Sequence, residues 1–190
     1  MADVEPATPA IDFDHPAARL IGELNAAAAC QFLDALAAVP EGDAPIVVEV
    51  TTPGGDAELG RRLGLEIERL RKSGRRVIFI GKAQCYSAGT SVMAGFPVRD
   101  RFLTRDCRLL IHSRQLDKRV EVSGPLQQSL AQVEAIAAEI RVGAELEEEG
   151  FAKLIDGSDI TLEEVKTKAP ANWYLTAEEA LARHLIAGLV

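Results

Sequence analysis

A strand–turn–helix–strand pattern between residues 46 and 81 restricts the fold more than any other feature of the sequence. Residues 46–50 and 77–80 are short apolar runs, mostly β-branched, of the kind that form buried strands. Between them lies one apolar helical stripe with steps of four and three: Leu59, Leu63, Ile67 and Leu70. Because parallel strands joined by a helix form a right-handed crossover, the pattern predicts a βαβ unit and an α/β fold.

Helix signals on both sides extend this α/β pattern. Asn25 is predicted to cap the helix that follows it. Residues 125–149 are predicted to form one long helix that ends at Gly150. Two T-x-x-E sequences match the capping box and predict short helices near the C-terminus, beginning at Thr161 and Thr176.

Length and composition favour one domain. A chain of 190 residues with 47% hydrophobic residues can bury a core of its own, whereas two full domains would be cramped. Residues 1–16 contain three prolines and no periodic pattern. We therefore expect a flexible N-terminal arm over residues 1–16 and a single domain over residues 17–190.

Charge and cysteine content exclude several classes of partner. The net charge of −8 gives little attraction for nucleic acid or anionic lipid. No apolar run reaches the roughly 18–20 residues that span a bilayer, and the acidic N-terminus is unlike a signal peptide. The three cysteines lack C-x-x-C spacing, which fits a reducing compartment. We expect a cytoplasmic protein with neither a nucleic-acid nor a membrane partner.

Two turns that follow predicted strands are candidates for chemistry. Residues 53–55 (PGG) precede a helix, where free N–H groups could bind an anion, and the alternative is a tight turn without a ligand. Ser87 opens the next helical segment, either as a nucleophile or as a simple helix cap. His112 follows an apolar strand at residues 109–111 and is the best candidate for a base, although a lone histidine at a strand end is more often structural.

Other chemistries have less support in the sequence. It contains no H-x-x-x-H spacing, no cluster of His, Cys and carboxylate residues and no phosphate-loop motif, so we expect neither a metal nor a cofactor. The cysteines are weak candidates for a nucleophile. Cys85 lies on the same turn as Ser87, but Ser87 is the residue at the helix start.

Four segments in order carry a family likeness: residues 48–55 (VEVTTPGG), 81–89 (GKAQCYSAG), 110–113 (LIHS) and 174–180 (YLTAEEA). From about Arg19 to the C-terminus the chain resembles the proteolytic subunit of the Clp protease (ClpP), a family of serine peptidases with the ClpP/crotonase fold. The resemblance implies an α/β spiral of βαβ units from which a long handle helix projects.

The same resemblance implies roles for individual residues. Ser87 matches the family's nucleophile and His112 its general base, while Gly55 and Ala88 match the positions whose N–H groups form the oxyanion hole. The third triad position carries Asn172, where the family has an aspartate. An asparagine can orient an imidazole but stabilises an imidazolium less well than a carboxylate does. Asp156 and Asp159 are alternatives for that role.

Partners also follow from the resemblance. The expected substrate is a peptide or unfolded polypeptide, cleaved inside a homo-oligomer that forms rings or stacked pairs of rings. Residues 125–149 match the handle helix that interlocks two rings, and the alternative role is packing within the subunit. The family's axial loops, which contact an AAA+ unfoldase, are longer and more apolar than residues 1–16, so an unfoldase partner stays an open question.

Three other functions stay open. Asn172 motivates a catalytically weak or silent structural subunit. A crotonase-type acyl-CoA enzyme would use the same oxyanion hole at Gly55, although it has no need of a serine at a helix start. A Ser/Lys dyad is a minor variant in which Lys82 would replace His112.

Overall fold

The computed structural model describes residues 11–190 as helices packed on a mixed sheet. The strands are β1 (Ala18–Ile21), β2 (Ile46–Thr52), β3 (Val77–Tyr86), β4 (Arg101–Leu103), β5 (Arg108–Ile111), β6 (Trp173–Thr176) and β7 (Gly188–Leu189). The α-helices are α1 (Ala26–Ala37), α2 (Ala57–Lys72), α3 (Ala88–Met93), α4 (Leu126–Ile155), α5 (Leu162–Lys168) and α6 (Ala177–Ala182). The predicted α/β class is confirmed at this level.

Parallel pairing dominates the sheet. Strands β1, β2, β3, β4 and β7 follow one another in that order, all in parallel pairs, and only β5 and β6 pair antiparallel. The parallel pair β2–β3, joined by α2, is the predicted βαβ unit. Strand β3 runs on past the predicted end because it serves two neighbours, β4 through residues 79–81 and β5 through residues 84–86. Ala83, with φ of 57°, lies between these two halves.

The two faces of the sheet are covered unequally. Successive side chains along a strand point to opposite faces of the sheet. On one face, residues such as Val48 and Phe79 enter the main core with the helices. On the opposite face, Val47, Ile78 and Ile80 form a small cluster. Ile11 and Phe13 pack on that small cluster. These two residues belong to the predicted flexible arm, of which residues 1–10 lie outside the described residues.

Helix α4 differs from its prediction at the C-terminal end. The helix continues through Gly150 to Ile155, so the predicted stop is wrong. Leu154 and Ile155 are buried in the main core and Phe151 packs against it. Burial of these side chains outweighs the roughly 1 kcal/mol that a glycine costs inside a helix.

A buried arginine holds the end of α4. Arg101 is 1% exposed, and its guanidinium donates to the carbonyl oxygens of Leu154 (2.6 Å) and Phe96 (2.8 Å). Longer bonds reach Leu185 at 3.3 Å and Lys153 at 3.4 Å. Burial lowers the pKa of Arg101 to about 10. The bonds satisfy carbonyl groups that would otherwise lack a donor at a helix terminus.

The other part of α4 leaves apolar side chains exposed, and so does the extended segment before it. The exposed set comprises Leu116, Val120, Val122, Leu126, Leu130, Val133, Ile140 and Val142. Leu126 is the most exposed of them, at 88%. Within residues 11–190, none of the helices has the length and apolar character needed to cross a membrane.

Candidate active site

Ser87 occupies a sharp turn between β3 and α3. Its φ of 54° and ψ of −116° lie in a region that L-residues rarely adopt, a strain of about 1–3 kcal/mol. It stands at the N-cap position of α3 but makes no side-chain capping bond, so the helix-cap interpretation is wrong. The hydroxyl is directed instead to His112.

The pair Ser87–His112 has the geometry of a nucleophile and its base. The Oγ of Ser87 lies 2.7 Å from Nε2 of His112. The other ring nitrogen, Nδ1, lies 2.7 Å from the carbonyl oxygen of Ser113. Because a carbonyl can only accept, it requires the proton on Nδ1, which leaves the lone pair of Nε2 free to accept from the serine hydroxyl. The imidazole is thus held in the tautomer that a general base needs.

The sheet explains why residues 25 positions apart meet. Strands β3 and β5 are parallel neighbours with Tyr86 opposite Leu110. Ser87 is the first residue beyond β3, and His112 is the first beyond β5. Carboxyl ends of adjacent parallel strands lie at the same edge of a sheet, so both side chains emerge side by side there.

The glycine turn after β2 lies against the same serine. A Cβ atom on Gly54 would lie 2.7 Å from Cβ of Ser87, and one on Gly55 would lie 2.2 Å from the carbonyl oxygen of Leu24. Both glycines have positive φ, 109° and 143°. The buried Thr52 hydroxyl accepts from the N–H of Gly54 at 3.0 Å and holds the turn. The turn therefore needs glycine at both positions.

Two amide groups near Ser87 remain free. The N–H groups of Gly55 and Ala88 donate to no other group within residues 11–190. Gly55 belongs to the turn that contacts Ser87, and Ala88 is the first residue of α3. Free N–H donors beside a nucleophile can accept the charge that develops on a carbonyl oxygen.

The structure does not bring Asn172 to the imidazole. Extending the β5–β6 register by one step from the pair Ile111–Trp173 places Asn172 opposite His112. However, Asn172 ends a 3₁₀ turn with φ of 60°, its side chain is exposed, and Nδ1 of His112 bonds to Ser113 instead. The left-handed backbone at Asn172 breaks the ladder before this pair forms.

The alternative residues lie elsewhere as well. Asp159 accepts from Nδ1 of His184 at 2.6 Å, and Asp156 ends α4 on a cavity that Ser87 does not line. Lys82 pairs with Glu49 at 2.8 Å rather than with Ser87. The Ser/Lys dyad thus has no support in the geometry.

A cleft of about 500 Å³ opens beside the pair Ser87–His112. Apolar side chains of α4, including Leu146, Phe151 and Leu154, line one wall. The charged residues of the lining are Asp56, Glu58, Arg114 and Glu147. Hydrogen bonds from Arg114 and Arg61 hold the pKa of Glu58 below its usual value, so this carboxylate is charged at neutral pH.

The described residues give no support to Cys85 or Cys107 as a nucleophile, or to a metal site. Cys85 is fully buried, and burial raises the pKa of its thiol well above the usual value. Burial likewise raises the pKa of Cys107 to about 12, so neither is a ready thiolate. Within residues 11–190, no three His, Cys, Asp or Glu side chains are grouped so as to hold a metal ion.

Comparisons with known proteins give no family for this chain. No model of a protein family matches the sequence, and no curated protein matches it either. The chemistry of the site therefore rests on the geometry of its own residues.

Sequence reasoning missed two contributors to this geometry. Thr52 directly precedes the predicted turn at residues 53–55, and the T-P-G-G sequence was the signal that could have indicated it. The carbonyl of Ser113 gives no sequence signal, because every residue has one.

Proposed function

We propose that this protein is a serine peptidase that hydrolyses peptide bonds through an acyl-enzyme on Ser87. The observation that carries the proposal is the 2.7 Å contact between Ser87 Oγ and His112 Nε2, with Nδ1–H held by the Ser113 carbonyl. A serine at a strained turn, bonded to a correctly protonated imidazole, is the arrangement of an activated nucleophile.

The mechanism moves one proton back and forth. Nε2 of His112 takes the proton of Ser87 as Oγ attacks the substrate carbonyl carbon. The N–H groups of Gly55 and Ala88 stabilise the oxyanion, an effect for which each donor is typically worth about 10²–10³ in rate. The imidazolium then gives its proton to the leaving amine. Water, deprotonated by the same nitrogen, releases the acyl group and restores Ser87.

A neutral acceptor on Nδ1 limits the rate. The Ser113 carbonyl fixes the tautomer but carries no net charge, so it stabilises the imidazolium less than a carboxylate would. Replacing the triad aspartate by asparagine costs about 10⁴ in kcat in a trypsin-like enzyme because the wrong tautomer is held. Since His112 holds the right tautomer here, we expect a smaller loss relative to a full triad.

We also propose the ClpP/crotonase arrangement and self-assembly through α4. The parallel β2–α2–β3 unit supports the arrangement. Self-assembly is supported by the exposed apolar side chains of α4 and the preceding segment, between Leu116 and Val142, which are unusually apolar for a free surface. A second copy of the chain would cover these side chains and close one side of the cleft. Light scattering after gel filtration tests the assembly: an oligomer is expected, and Leu130→Glu should reduce its mass.

A silent structural subunit is the second candidate function. The observation that favours it is the absence of a carboxylate on Nδ1 of His112 within residues 11–190. A crotonase-type acyl-CoA enzyme fits less well, since it would leave the bond between Ser87 and His112 without a use.

Active-site labelling separates these candidates. We expect a fluorophosphonate probe to label Ser87 and short fluorogenic peptides to be hydrolysed, with both signals lost in Ser87→Ala. Ser73→Ala, at the far end of α2, is the matched control and should behave like the wild type. An assembled protein that neither labels nor hydrolyses any peptide would be a silent subunit. Thermal stabilisation by CoA thioesters without labelling would instead indicate an acyl-CoA enzyme.

A further inference from the structure

The segment after His112 is anchored to two helices at one residue. The backbone N–H of Arg114 donates to Oε2 of Glu147 on α4. The guanidinium of Arg114 donates to Oε1 of Glu58 on α2 at 2.5 Å. Residues 113–123 pair with no strand in the described chain, so these bonds decide where this part of the segment lies.

The anchored amide belongs to the same peptide group as the carbonyl that His112 uses. The carbonyl of Ser113 and the N–H of Arg114 are the two ends of one planar peptide unit. Nδ1–H of His112 donates to the carbonyl oxygen of this peptide unit. The N–H of the same unit, that of Arg114, donates to the carboxylate of Glu147. A continuous chain of hydrogen bonds therefore runs from Ser87 through the imidazole and the peptide to Glu147.

Such a chain of hydrogen bonds stabilises positive charge on the imidazole as well as orienting the ring. A carboxylate that accepts from a peptide N–H polarises the group and makes its carbonyl oxygen a stronger acceptor, because hydrogen bonds in series strengthen one another. Glu147 forms no ion pair within residues 11–190, and the guanidinium of Arg114 pairs with Glu58 instead. The charge of Glu147 is thus directed at this peptide.

We propose that Glu147 is the acidic member that the Ser87–His112 pair lacks, acting through the peptide group between Ser113 and Arg114. It is a positioning residue: it fixes the carbonyl, which fixes the tautomer of His112 and stabilises the imidazolium. Glu58 holds the other side of Arg114 in place. The inference rests on the proposed peptidase function for its kinetic consequence, but the state of the imidazole can be observed without any turnover.

Three variants test the role of Glu147. Glu147→Ala removes both the acceptor and the charge and should lower kcat by about 10- to 100-fold, by analogy with the loss of the hydrogen-bond partner of a metal-bound histidine. Glu147→Gln keeps an acceptor without the charge and should recover part of that loss. Glu148→Ala, one residue along the same helix, breaks only the pair with Lys166 and should match the wild type.

Imidazole NMR provides the decisive readout. The chain has three histidines, so a ¹⁵N-histidine-labelled sample gives few ring signals to assign. The wild type should show His112 as the Nδ1–H tautomer, and Glu147→Ala should populate the Nε2–H form, while thermal midpoints verify that each variant is folded. Unchanged kcat and an unchanged tautomer in Glu147→Ala would overturn the inference. If the wild type hydrolyses nothing but the tautomer shifts as expected, the peptidase proposal fails and the role of Glu147 stands.

Discussion

The N–H of Ser87 donates to the carbonyl oxygen of Leu110 at 2.9 Å, two residues before His112. This bond continues the ladder of β3 and β5 beyond the last residue of β3, so the strained turn at Ser87 is held by the sheet itself. The separation of Ser87 and His112, the proposed nucleophile and base, is consequently set by strand pairing rather than by a loop. Rigid elements of this kind hold reacting groups more accurately than loops do.

Asn172 is expected to be dispensable for catalysis. Its side chain is exposed and makes no hydrogen bond to His112, whose Nδ1–H already has an acceptor. Asn172→Ala should therefore change kcat/KM on a fluorogenic peptide by less than about 3-fold, far below the roughly 10⁴-fold loss seen when a triad acid fails. A loss of 100-fold or more would mean that Asn172 turns toward the imidazole when substrate binds.

Gly54→Ala should inactivate the protein through a direct clash. The new Cβ would lie 2.7 Å from Cβ of Ser87 and would push the Ser87 side chain away from His112. Gly74→Ala is the matched control, because φ is also positive there, at 91°, but the space around it is open. Both variants should lose about 1–2 kcal/mol from backbone strain. Only Gly54→Ala should lose labelling by a fluorophosphonate; equal labelling of the two variants would contradict the clash.

Arg101→Met should destabilise the fold more than the loss of any surface arginine. The substitution leaves buried carbonyl groups, that of Leu154 foremost, without their donor. We expect a loss of about 3 kcal/mol in the free energy of unfolding. Arg69→Met removes an exposed ion pair with Glu66 and should cost about 0.5 kcal/mol or less. Urea titration followed by circular dichroism measures both, and similar losses would refute a special role for Arg101.

Acid should weaken the contact between α5 and α6 through Glu164. Hydrogen bonds from Arg183 and Lys168 lower the pKa of Glu164 from 4.5 to about 2. A carboxyl whose pKa is lowered by folding stabilises the protein above its unfolded pKa, and this contribution is lost as the pH falls from about 4.5 toward 2. Glu164→Gln should therefore lose less stability than the wild type between pH 5 and pH 3, roughly the range that this shift covers.

The neighbouring Glu163 is the control for this acid effect. It is exposed, and its side chain makes no ion pair within residues 11–190, so Glu163→Gln should follow the wild-type acid dependence. Urea midpoints measured at both pH values provide the comparison. Identical acid losses in the wild type and Glu164→Gln would show that solvent screens the pair completely.

Local sequence signals predicted the helix caps correctly where a residue bonds to its own sequence neighbours. Asn25 accepts from the N–H of Ala28 at 3.0 Å, as its position before an alanine-rich helix predicted. Thr176 and Glu179 form the complete predicted capping box. At Thr161 only half of the box forms, since the Glu164 side chain bonds to Arg183 and Lys168 instead. A distant partner there outcompetes the local one.

The sequence by itself determined the βαβ unit and the helix caps at Asn25, Thr161 and Thr176, and it indicated Ser87 and His112 as candidates, because hydrophobic periodicity and turn chemistry depend on near neighbours. Tertiary structure alone decided which groups serve the imidazole. Nδ1–H of His112 donates to the Ser113 carbonyl, and the same peptide group donates to the carboxylate of Glu147, which lies 35 residues further along the chain on α4. Such contacts leave no local pattern in the sequence. The same reason explains α4, whose end is set by burial of Leu154 and Ile155 rather than by Gly150.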